Sequence, residues 1–261
     1  MGHSLAGKVA VVTGSDSGIG RATAIEFAHR GADVVVTYHS DESGADETKR
    51  AVEEAGQQAL VVQLDTREEQ SVERLFDDAV ERFGHVDILV NNAGIDSSGV
   101  PVHEMDTETW DNAMKTNVYG YFFCSRRFVQ ERMRNGGGDG AAIVNITSIH
   151  AEHPRAGAAD YDASKAAEKE LGNTMALELA EEGIRVVNVA PGWILTPFNQ
   201  ADIEDPEQYE RDAQTVPMRR AAQPEEIAKT VAFVVSDDAA YMTGTTVTVD
   251  GGLSINQGQG A

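Results

Sequence analysis

Short runs rich in Val, Ile and Thr alternate with longer segments of helical periodicity from one end of the chain to the other. This alternation restricts the fold more than any other feature, because repeated βαβ units form a parallel sheet with helices on both faces. We expect a single α/β domain over residues 1–261, doubly wound, with a seven-stranded and mostly parallel sheet. The predicted strands are 9–13, 33–38, 59–64, 87–91, 141–147, 185–190 and 245–249. The predicted helices are 19–30, 43–55, 68–83, 107–134, 161–181 and 224–236.

Two segments interrupt the alternation. Residues 134–140 form a Gly-rich turn that ends a long helix. Residues 198–218 form a long acidic insertion between the sixth strand and the last helix. Insertions of this length in a compact α/β domain are usually functional, often as a lid over an active site. We therefore expect residues 198–218 to cover a substrate pocket.

The charge balance limits the partners of the protein. The chain has 21 basic and 43 acidic residues, which gives a formal net charge of -22. This sign disfavours nucleic acid, an anionic membrane and an acidic carrier protein as partners. The acidity fits either a solvated surface that keeps the protein soluble or adaptation to high salt.

The single cysteine, Cys124, lies in an apolar run, which predicts a buried thiol. One cysteine excludes an intramolecular disulfide and a cysteine-based zinc site, and we expect no metal site. No apolar run is long enough to span a bilayer, and the first residues lack the apolar core of a signal peptide. These features predict a cytoplasmic protein in a reducing compartment.

A Gly-rich turn joins the first predicted strand to the first predicted helix, over residues 13–20. Gly14 permits a tight turn, Gly18 lets the backbone approach a pyrophosphate, and Gly20 lets the helix pack against the strand. The helix N-terminus then offers N–H groups and a favourable dipole to phosphates. By itself the motif also fits a purely structural turn.

The spacing Gly-x-x-x-Gly-x-Gly, with further motifs in a fixed order, resembles the short-chain dehydrogenase/reductase family. The resemblance covers essentially the whole chain and implies a Rossmann-type fold that transfers a hydride between a nicotinamide cofactor and a carbonyl or hydroxyl carbon. The motifs after the glycine turn are Asp65, the turn Asn91-Asn92-Ala93-Gly94, Asn117, Ser148, the pair Tyr161 and Lys165, Pro191-Gly192 and Thr196.

The family's catalytic set maps to Asn117, Ser148, Tyr161 and Lys165. Tyr161 and Lys165 are four residues apart in a predicted helix, so they share a face. A tyrosine with a pKa of about 10 is a poor base at neutral pH, and a nearby ammonium lowers this pKa because it favours the phenolate. Lowering the pKa to near 7 is a shift of about 3 units, which corresponds to roughly 4 kcal/mol. Ser148 can stabilise charge on the substrate oxygen, and Asn117 could anchor a water that relays protons. Taken alone, a Tyr-x-x-x-Lys pair is more often structural.

The cofactor preference follows from the end of the second strand, where an acid would bind the ribose 2′-hydroxyl and select NAD. Tyr38 is followed by His39 and Ser40, with no acid until Asp41, so His39 and Ser40 could receive a 2′-phosphate. Asp16, in the glycine turn, would repel that phosphate. We therefore predict that the protein uses both NAD and NADP.

The resemblance implies a set of cofactor contacts around these motifs. They are Gly14, Ser17, Gly18, Ile19, Gly20, His39, Ser40, Asp65, Thr66, Asn92, Ala93, Gly94, Tyr161, Lys165, Pro191, Gly192, Ile194 and Thr196.

Several local stretches resemble the bacterial glucose 1-dehydrogenases of this family: 148–150, 196–199 and the tail 256–261. This resemblance implies oxidation of an aldose such as D-glucose at C1 to its lactone. The implied substrate contacts are Asp96, Ser148, His150, Tyr161 and Asn199.

Two departures from those enzymes leave the choice of sugar open: the acidic stretch 200–205, and Trp193 in place of a small residue. Two other functions are also open. One is a 3-oxoacyl or other keto/hydroxy reductase of the same family. The net charge of -22 disfavours such an enzyme when its substrate is attached to an acidic carrier protein. The other is a non-catalytic nucleotide-binding module, which the intact Ser148, Tyr161 and Lys165 disfavour.

The predicted helix 161–181 also suggests an assembly. Its apolar residues Ala167, Leu171, Met175 and Leu179 form a second face, and in the family the matching helix packs against its copy in another subunit. We expect a homotetramer with the tail 251–261 near a subunit boundary. The alternative is that this face packs on the sheet within one chain.

Overall fold

The computed structural model describes residues 5–134, 136–138, 140–200 and 204–256. The strands are β1 (Val9–Val12), β2 (Asp33–Tyr38), β3 (Ala59–Gln63), β4 (Ile88–Asn91), β5 (Ala141–Ile146), β6 (Ile184–Pro191) and β7 (Thr245–Val249). They form one seven-stranded sheet in the order β3-β2-β1-β4-β5-β6-β7. Each neighbouring pair is parallel, so the predicted doubly wound α/β fold is confirmed and the sheet is parallel throughout.

The helices flank this sheet. They are α1 (Gly18–His29), α2 (Glu42–Glu54), α3 (Glu69–Phe83), α4 (Thr107–Ala113), α5 (Gly120–Arg134), α6 (Ala159–Leu179), α7 (Pro206–Thr215) and α8 (Pro224–Val235). The helix predicted over 107–134 is not uniform, since a π-helical segment, Met114–Tyr119, joins α4 to α5. Such segments are rare and often lie at functional sites.

Helix α7 was not predicted and lies within the expected lid. Its start is well defined, because the Asp205 carboxylate accepts hydrogen bonds from the N–H groups of Glu207 at 3.0 Å and Gln208 at 3.2 Å. Pro206 occupies the first turn, where a missing N–H costs nothing. Residues 201–203 of the insertion, and 257–261 of the tail, lie outside the described residues.

Apolar side chains are packed on both faces of the sheet. One core cluster joins the sheet to α1, α2 and α8, and the other joins it to α3, α5 and α6. Cys124 is completely buried in the second cluster, as predicted, and burial raises the pKa of its thiol to about 12. Among the described residues, no helix has both the length and the apolar character to cross a membrane.

The face of α6 assigned to a subunit contact packs instead inside the chain. Leu171, Met175 and Leu179 all belong to, or pack against, the cluster under α3 and α5. On this point the intrachain alternative is the correct one, because an apolar face at this spacing is buried on the sheet. The exposed apolar side chain of α6 is Leu177.

A ladder of buried asparagines crosses three strands near their carboxyl ends. Asn91, Asn145 and Asn188 are paired in register on β4, β5 and β6. Each donates an amide N–H to the next: Asn91 to Asn145 at 3.0 Å, and Asn145 to Asn188 at 3.0 Å. These two buried hydrogen bonds hold β4, β5 and β6 in register at the end of the sheet whose following loops form the site.

Candidate active site

A cavity of about 730 Å³ opens at the carboxyl ends of the strands. Ligands of open parallel sheets bind at this edge. The predicted residues that line the cavity are Gly14, Ser17, Gly18, Ile19, His39, Ser40, Asp65, Thr66, Asn92, Ala93, Gly94, Asp96, Ser148, His150, Tyr161, Lys165, Pro191, Gly192, Ile194, Thr196 and Asn199. Gly20 and Asn117 are the predicted residues outside this lining, and both lie behind it.

The glycine turn leaves room for a phosphate at the start of α1. Gly18 has φ +54, and a Cβ there would lie 3.4 Å from Thr196 Cγ2, on the opposite wall. A Cβ on Gly20 would lie 2.2 Å from the carbonyl oxygen of Gly14, so only glycine allows the helix to approach the strand this closely. Ser17 makes no side-chain cap, and the first N–H groups of a helix have no partner within the helix. These features fit the pyrophosphate of a dinucleotide.

The turn after β4 supports the glycine turn from behind. The Thr13 hydroxyl accepts hydrogen bonds from the N–H groups of Asn92 and Ala93, both at 2.9 Å. The Asn92 amide donates to the carbonyls of Thr13 at 2.8 Å and Gly14 at 2.9 Å. The two motifs therefore form one hydrogen-bonded unit, and the Asn92 side chain acts through that unit.

Ser148 and Tyr161 face each other across the cavity. Ser148 follows β5, Tyr161 lies in the first turn of α6, and both side chains line the cavity. The expected depression of the phenol pKa is wrong for the described structure. Burial raises the pKa of Tyr161, and the opposing effects of Lys165 and Ser148 do not offset burial together with the nearby carboxylates.

The ammonium of Lys165 lies beneath the phenol, 5.5 Å from the centre of the Tyr161 ring. It is buried and donates to the Ile146 carbonyl at 3.1 Å. It also donates to both carboxylate oxygens of Glu168, at 2.9 and 3.1 Å. Sequence reasoning missed Glu168, although a residue three positions after Lys165 shares its helix face.

Asn117 lies in the π-helical segment and is completely buried. Its Oδ1 accepts from the Ile95 N–H at 2.8 Å, and its Nδ2 donates to the Ile95 carbonyl at 3.1 Å and to Ser164 Oγ at 2.9 Å. These bonds tie the loop after Gly94 to the catalytic helix. The relay water expected at Asn117 stays a prediction.

The ribose end of the cavity contains a charged cluster. Asp65 accepts from the Arg67 guanidinium at 2.7 and 2.8 Å, and this hydrogen bonding lowers the pKa of the carboxyl to about 2. The same guanidinium lies 3.5 Å from His39 Nε2. Burial raises the pKa of Asp16 on the other side. Arg67, which sequence reasoning missed, adds positive charge next to His39 and Ser40.

The opposite end combines polar and aromatic groups. His150 Nδ1 lies 2.8 Å from the His153 carbonyl, so Nδ1 is the nitrogen that donates to this carbonyl. Asp96 lies 3.7 Å from the Arg155 guanidinium. Asn199 is on the wall, but its amide is used within its own turn, since it accepts from the Thr196 N–H at 3.1 Å and donates to the Ile194 carbonyl at 2.8 Å.

An aromatic wall connects this end to the lid. The rings of Trp193 and Tyr209 lie 5.0 Å apart at 43°, so helix α7 rests on the residue that follows Pro191-Gly192. Trp193 and Phe198 line the cavity. The cavity therefore combines aromatic side chains with the polar groups His150 and Asp96.

Fold and site together define a dinucleotide-binding α/β protein with a Ser-Tyr-Lys cluster. A family model described as enoyl-(acyl carrier protein) reductase matches residues 13–254. The chain belongs to the short-chain dehydrogenase/reductase family of NAD(P)-dependent oxidoreductases.

The relatives agree in length but differ in substrate. Glucose 1-dehydrogenase 2 of Bacillus subtilis is 39% identical, with 99% of each chain covered. The 3beta-hydroxysteroid dehydrogenase 1 of Eggerthella lenta is 43% identical, with 99% of this chain and 98% of the relative covered.

Solved structures with a similar fold also carry the names of enzymes with different substrates. Acetoin dehydrogenase of Enterobacter cloacae has a TM-score of 0.88 at 39% identity, covering 99% of this chain and 100% of its own. A 7 alpha-hydroxysteroid dehydrogenase, solved with NADH and 7-oxo glycochenodeoxycholic acid, has a TM-score of 0.87 at 38% identity, covering 95% of each chain.

Proposed function

We propose that the protein oxidises a ring-borne hydroxyl with NAD or NADP, and that an aldose such as D-glucose, oxidised at C1 to the lactone, is its first substrate candidate. The observation that supports this most directly is the convergence on one cavity. Ser148, Tyr161 and Lys165 line the same 730 Å³ space as the glycine turn on one side and the polar groups His150 and Asp96 on the other.

Each residue of the cluster has a defined part in the reaction. The Ser148 hydroxyl hydrogen-bonds to the substrate oxygen and holds it against the phenol. Tyr161, as phenolate, takes the hydroxyl proton while the C–H bond of the same carbon breaks. Lys165 stabilises the phenolate by its charge. The nicotinamide ring, when bound, supplies the acceptor for the hydride. Asn117 keeps the loop at Ile95 and helix α6 in register.

The polar end of the cavity fits a polyol. With Nδ1 directed to the His153 carbonyl, His150 presents Nε2 for a hydrogen bond with a substrate hydroxyl. Asp96 and Arg155 offer an acceptor and donors at the mouth. Asn199 supports its own turn rather than adding to this set. Helix α7, whose Tyr209 rests on Trp193, is a described part of the lid proposed to cover the substrate.

A second candidate is a hydroxyl on an apolar ring, as in a hydroxysteroid. The observation that favours it is that Trp193 and the exposed side chain of Phe198 both line the cavity, with Tyr209 supporting the Trp193 ring. Flat aromatic surfaces bind apolar rings well. The relative with 43% identity acts, by its name, on a 3beta-hydroxysteroid.

A nicotinamide absorbance assay separates these candidates. The panel contains D-glucose and its 2-deoxy and 6-deoxy analogues, a 3β-hydroxysteroid, acetoin and a 3-oxoacyl ester, each with both cofactors in the appropriate redox form. We expect the aldose to be oxidised and the deoxy analogues to be discriminated, because they leave polar groups of the site unpaired. Turnover of the steroid, acetoin or oxoacyl ester without any aldose turnover would disprove the sugar assignment.

Tyr161→Phe tests the chemistry independently of the substrate assignment. It should keep cofactor binding and lose turnover by about 100- to 10,000-fold, which is the usual contribution of a positioned acid or base. Tyr241→Phe, at a completely exposed position, is the matched control. Activity of Tyr161→Phe within tenfold of the wild type would contradict the assignment of the base.

A further inference from the structure

Glu168 is a completely buried carboxylate directly beneath the proposed catalytic pair. Its side chain lies on α6, one turn after Lys165, and does not line the cavity. Burying a carboxylate is costly unless it is paired with a cation and hydrogen-bonded. Its described partner is the Lys165 ammonium, which it contacts through both oxygens.

The contacts of Lys165 show what this pairing does to the ammonium. An ammonium has three N–H donors. In the described structure they are directed to the Ile146 carbonyl and to the two oxygens of Glu168. Glu168 therefore provides two of the three acceptors of the ammonium and, with the Ile146 carbonyl, fixes its distance from the phenol.

The charged and titratable groups around this pair come from four elements. On α6 they are Tyr161 and Lys165, and on α5 they are Tyr121, 5.3 Å from the ammonium, and Cys124. Asp96 acts on Tyr161 and Lys165 from the loop after β4, and His150 meets the Tyr161 ring edge-on from the turn after β5. Burial raises the pKa of both the Tyr121 hydroxyl and the Cys124 thiol, so these two groups stay neutral at ordinary pH.

The charge of Glu168 determines how readily the Tyr161 phenolate forms in this buried site. With Glu168 ionised, the site holds one cation and one anion, and removal of the Tyr161 proton leaves a net negative charge in the core. Without the Glu168 charge, the same step converts a buried net positive charge into a neutral ion pair. Low-polarity surroundings disfavour net charge, so the phenolate forms more readily when the carboxylate is absent.

We propose that Glu168 is a positioning residue of the catalytic site: as the buried counterion of Lys165 it holds the ammonium in place and moves formation of the Tyr161 phenolate to more alkaline solution. The proposal uses the assignment of Tyr161 as the base made above. It identifies one residue that sets the pH range of the enzyme without touching substrate or cofactor.

Glu168→Gln tests this, because it keeps the shape and a hydrogen-bond acceptor but removes the charge. The first measurement needs neither substrate nor cofactor: the ultraviolet absorbance of tyrosinate is followed during a pH titration, and the trace of the same protein with Tyr161→Phe is subtracted. We expect the Tyr161 transition to move to lower pH by about 1 unit, the low end of the effect of one close charge. The acid limb of the kcat/KM profile for alcohol oxidation should move by the same amount, a tenfold gain at pH values below the limb.

Two further variants complete the test. Glu170→Gln makes the same substitution two residues along the helix at an exposed position and should leave both profiles unchanged. Glu168→Met removes the charge with an apolar side chain and should shift both profiles in the same direction as Glu168→Gln. It replaces Glu168→Gln in the test if that variant folds poorly. A tyrosinate transition that coincides with the wild type in both Glu168 variants overturns the proposal. So does a shift in activity without a shift in tyrosinate, which would show that Lys165 loses the proton instead. If Glu168→Gln shows the expected tyrosinate shift but the wild type oxidises no alcohol, the proposed function is contradicted and the role of Glu168 is not.

Discussion

Asn117→Ala should destabilise the protein and misplace the cofactor loop, because the Asn117 side chain makes three hydrogen bonds, one buried and two partly buried. Its loss leaves the half-buried Ile95 N–H without this partner, at a cost towards the low end of the range of about 1–3 kcal/mol that is typical of a buried donor. The bonds to the Ile95 carbonyl and Ser164 are lost as well, at about 0.5–1.5 kcal/mol each. The bonds are 2.8, 3.1 and 2.9 Å long, so none is marginal. We expect a loss of about 3 kcal/mol in the free energy of unfolding.

Urea unfolding followed by circular dichroism measures this loss, with Lys115→Ala as the control at an exposed position of the same π-helical segment, outside the cavity lining. The control should change stability by at most about 0.5 kcal/mol. Under native conditions, NADH fluorescence should show weakened binding by Asn117→Ala, since Ile95 adjoins Gly94 on the cavity wall. If Asn117→Ala unfolds at the wild-type urea concentration yet loses its turnover, the residue acts in the chemistry and our structural account of it is wrong.

Two other predictions concern the cofactor and the assembly. Tyr38→Asp, at the end of β2, should raise the preference for NAD, since a carboxylate there repels a 2′-phosphate. Arg67→Gln should lower the kcat/KM for NADP relative to that for NAD by about fivefold, or roughly 1 kcal/mol for one exposed charge contact. If the ratio of the two kcat/KM values is unchanged in both variants, neither position contacts the ribose end of the cofactor. Light scattering at micromolar concentration should give four times the chain mass, with the exposed Leu177 face of α6 in a subunit contact, and a monomer mass would refute the tetramer.

The fold followed from the sequence because its strands are short, apolar and separated by clear helical periods. The structure places all seven strands within one residue of the predicted ends. Periodicity failed where it carries little information. The π-helical segment Met114–Tyr119 adds a single residue to a turn, and the apolar spacing around it still fits an α-helix. Helix α7 has an acidic sequence with one buried residue, Ala213, so its signal was the cap at Asp205 and Pro206 alone.

The site was predictable where a motif fixes a backbone shape, and less so where long-range charge decides the chemistry. Gly14 and Gly18 have positive φ and line the cavity as expected. The state of Tyr161 depends instead on burial and on carboxylates from different parts of the chain. Spacing alone places Glu168 beside Lys165 on α6. The burial of this pair depends on the packing of α5 and β5 around Lys165, and the sequence does not show that these elements contact α6.

Burial of Glu168 also gives the stability of the whole protein a characteristic pH dependence. Burial raises the pKa of Glu168 from 4.5 to about 7, against the lowering effect of Lys165. Between these values the folded protein keeps a proton that the unfolded chain releases, so the free energy of unfolding falls as the pH rises from 4.5 to about 7. The pKa values of Asp65 and Glu226, lowered to about 2 by their arginine partners, act in the opposite sense and only at lower pH. Urea unfolding of the wild type and Glu168→Gln across this range should therefore show the wild type losing stability relative to the variant as the pH rises. A difference that stays constant from acid to neutral pH would mean that Glu168 is already ionised in the folded protein at the acid end, and the pairing with Lys165 would then dominate over burial.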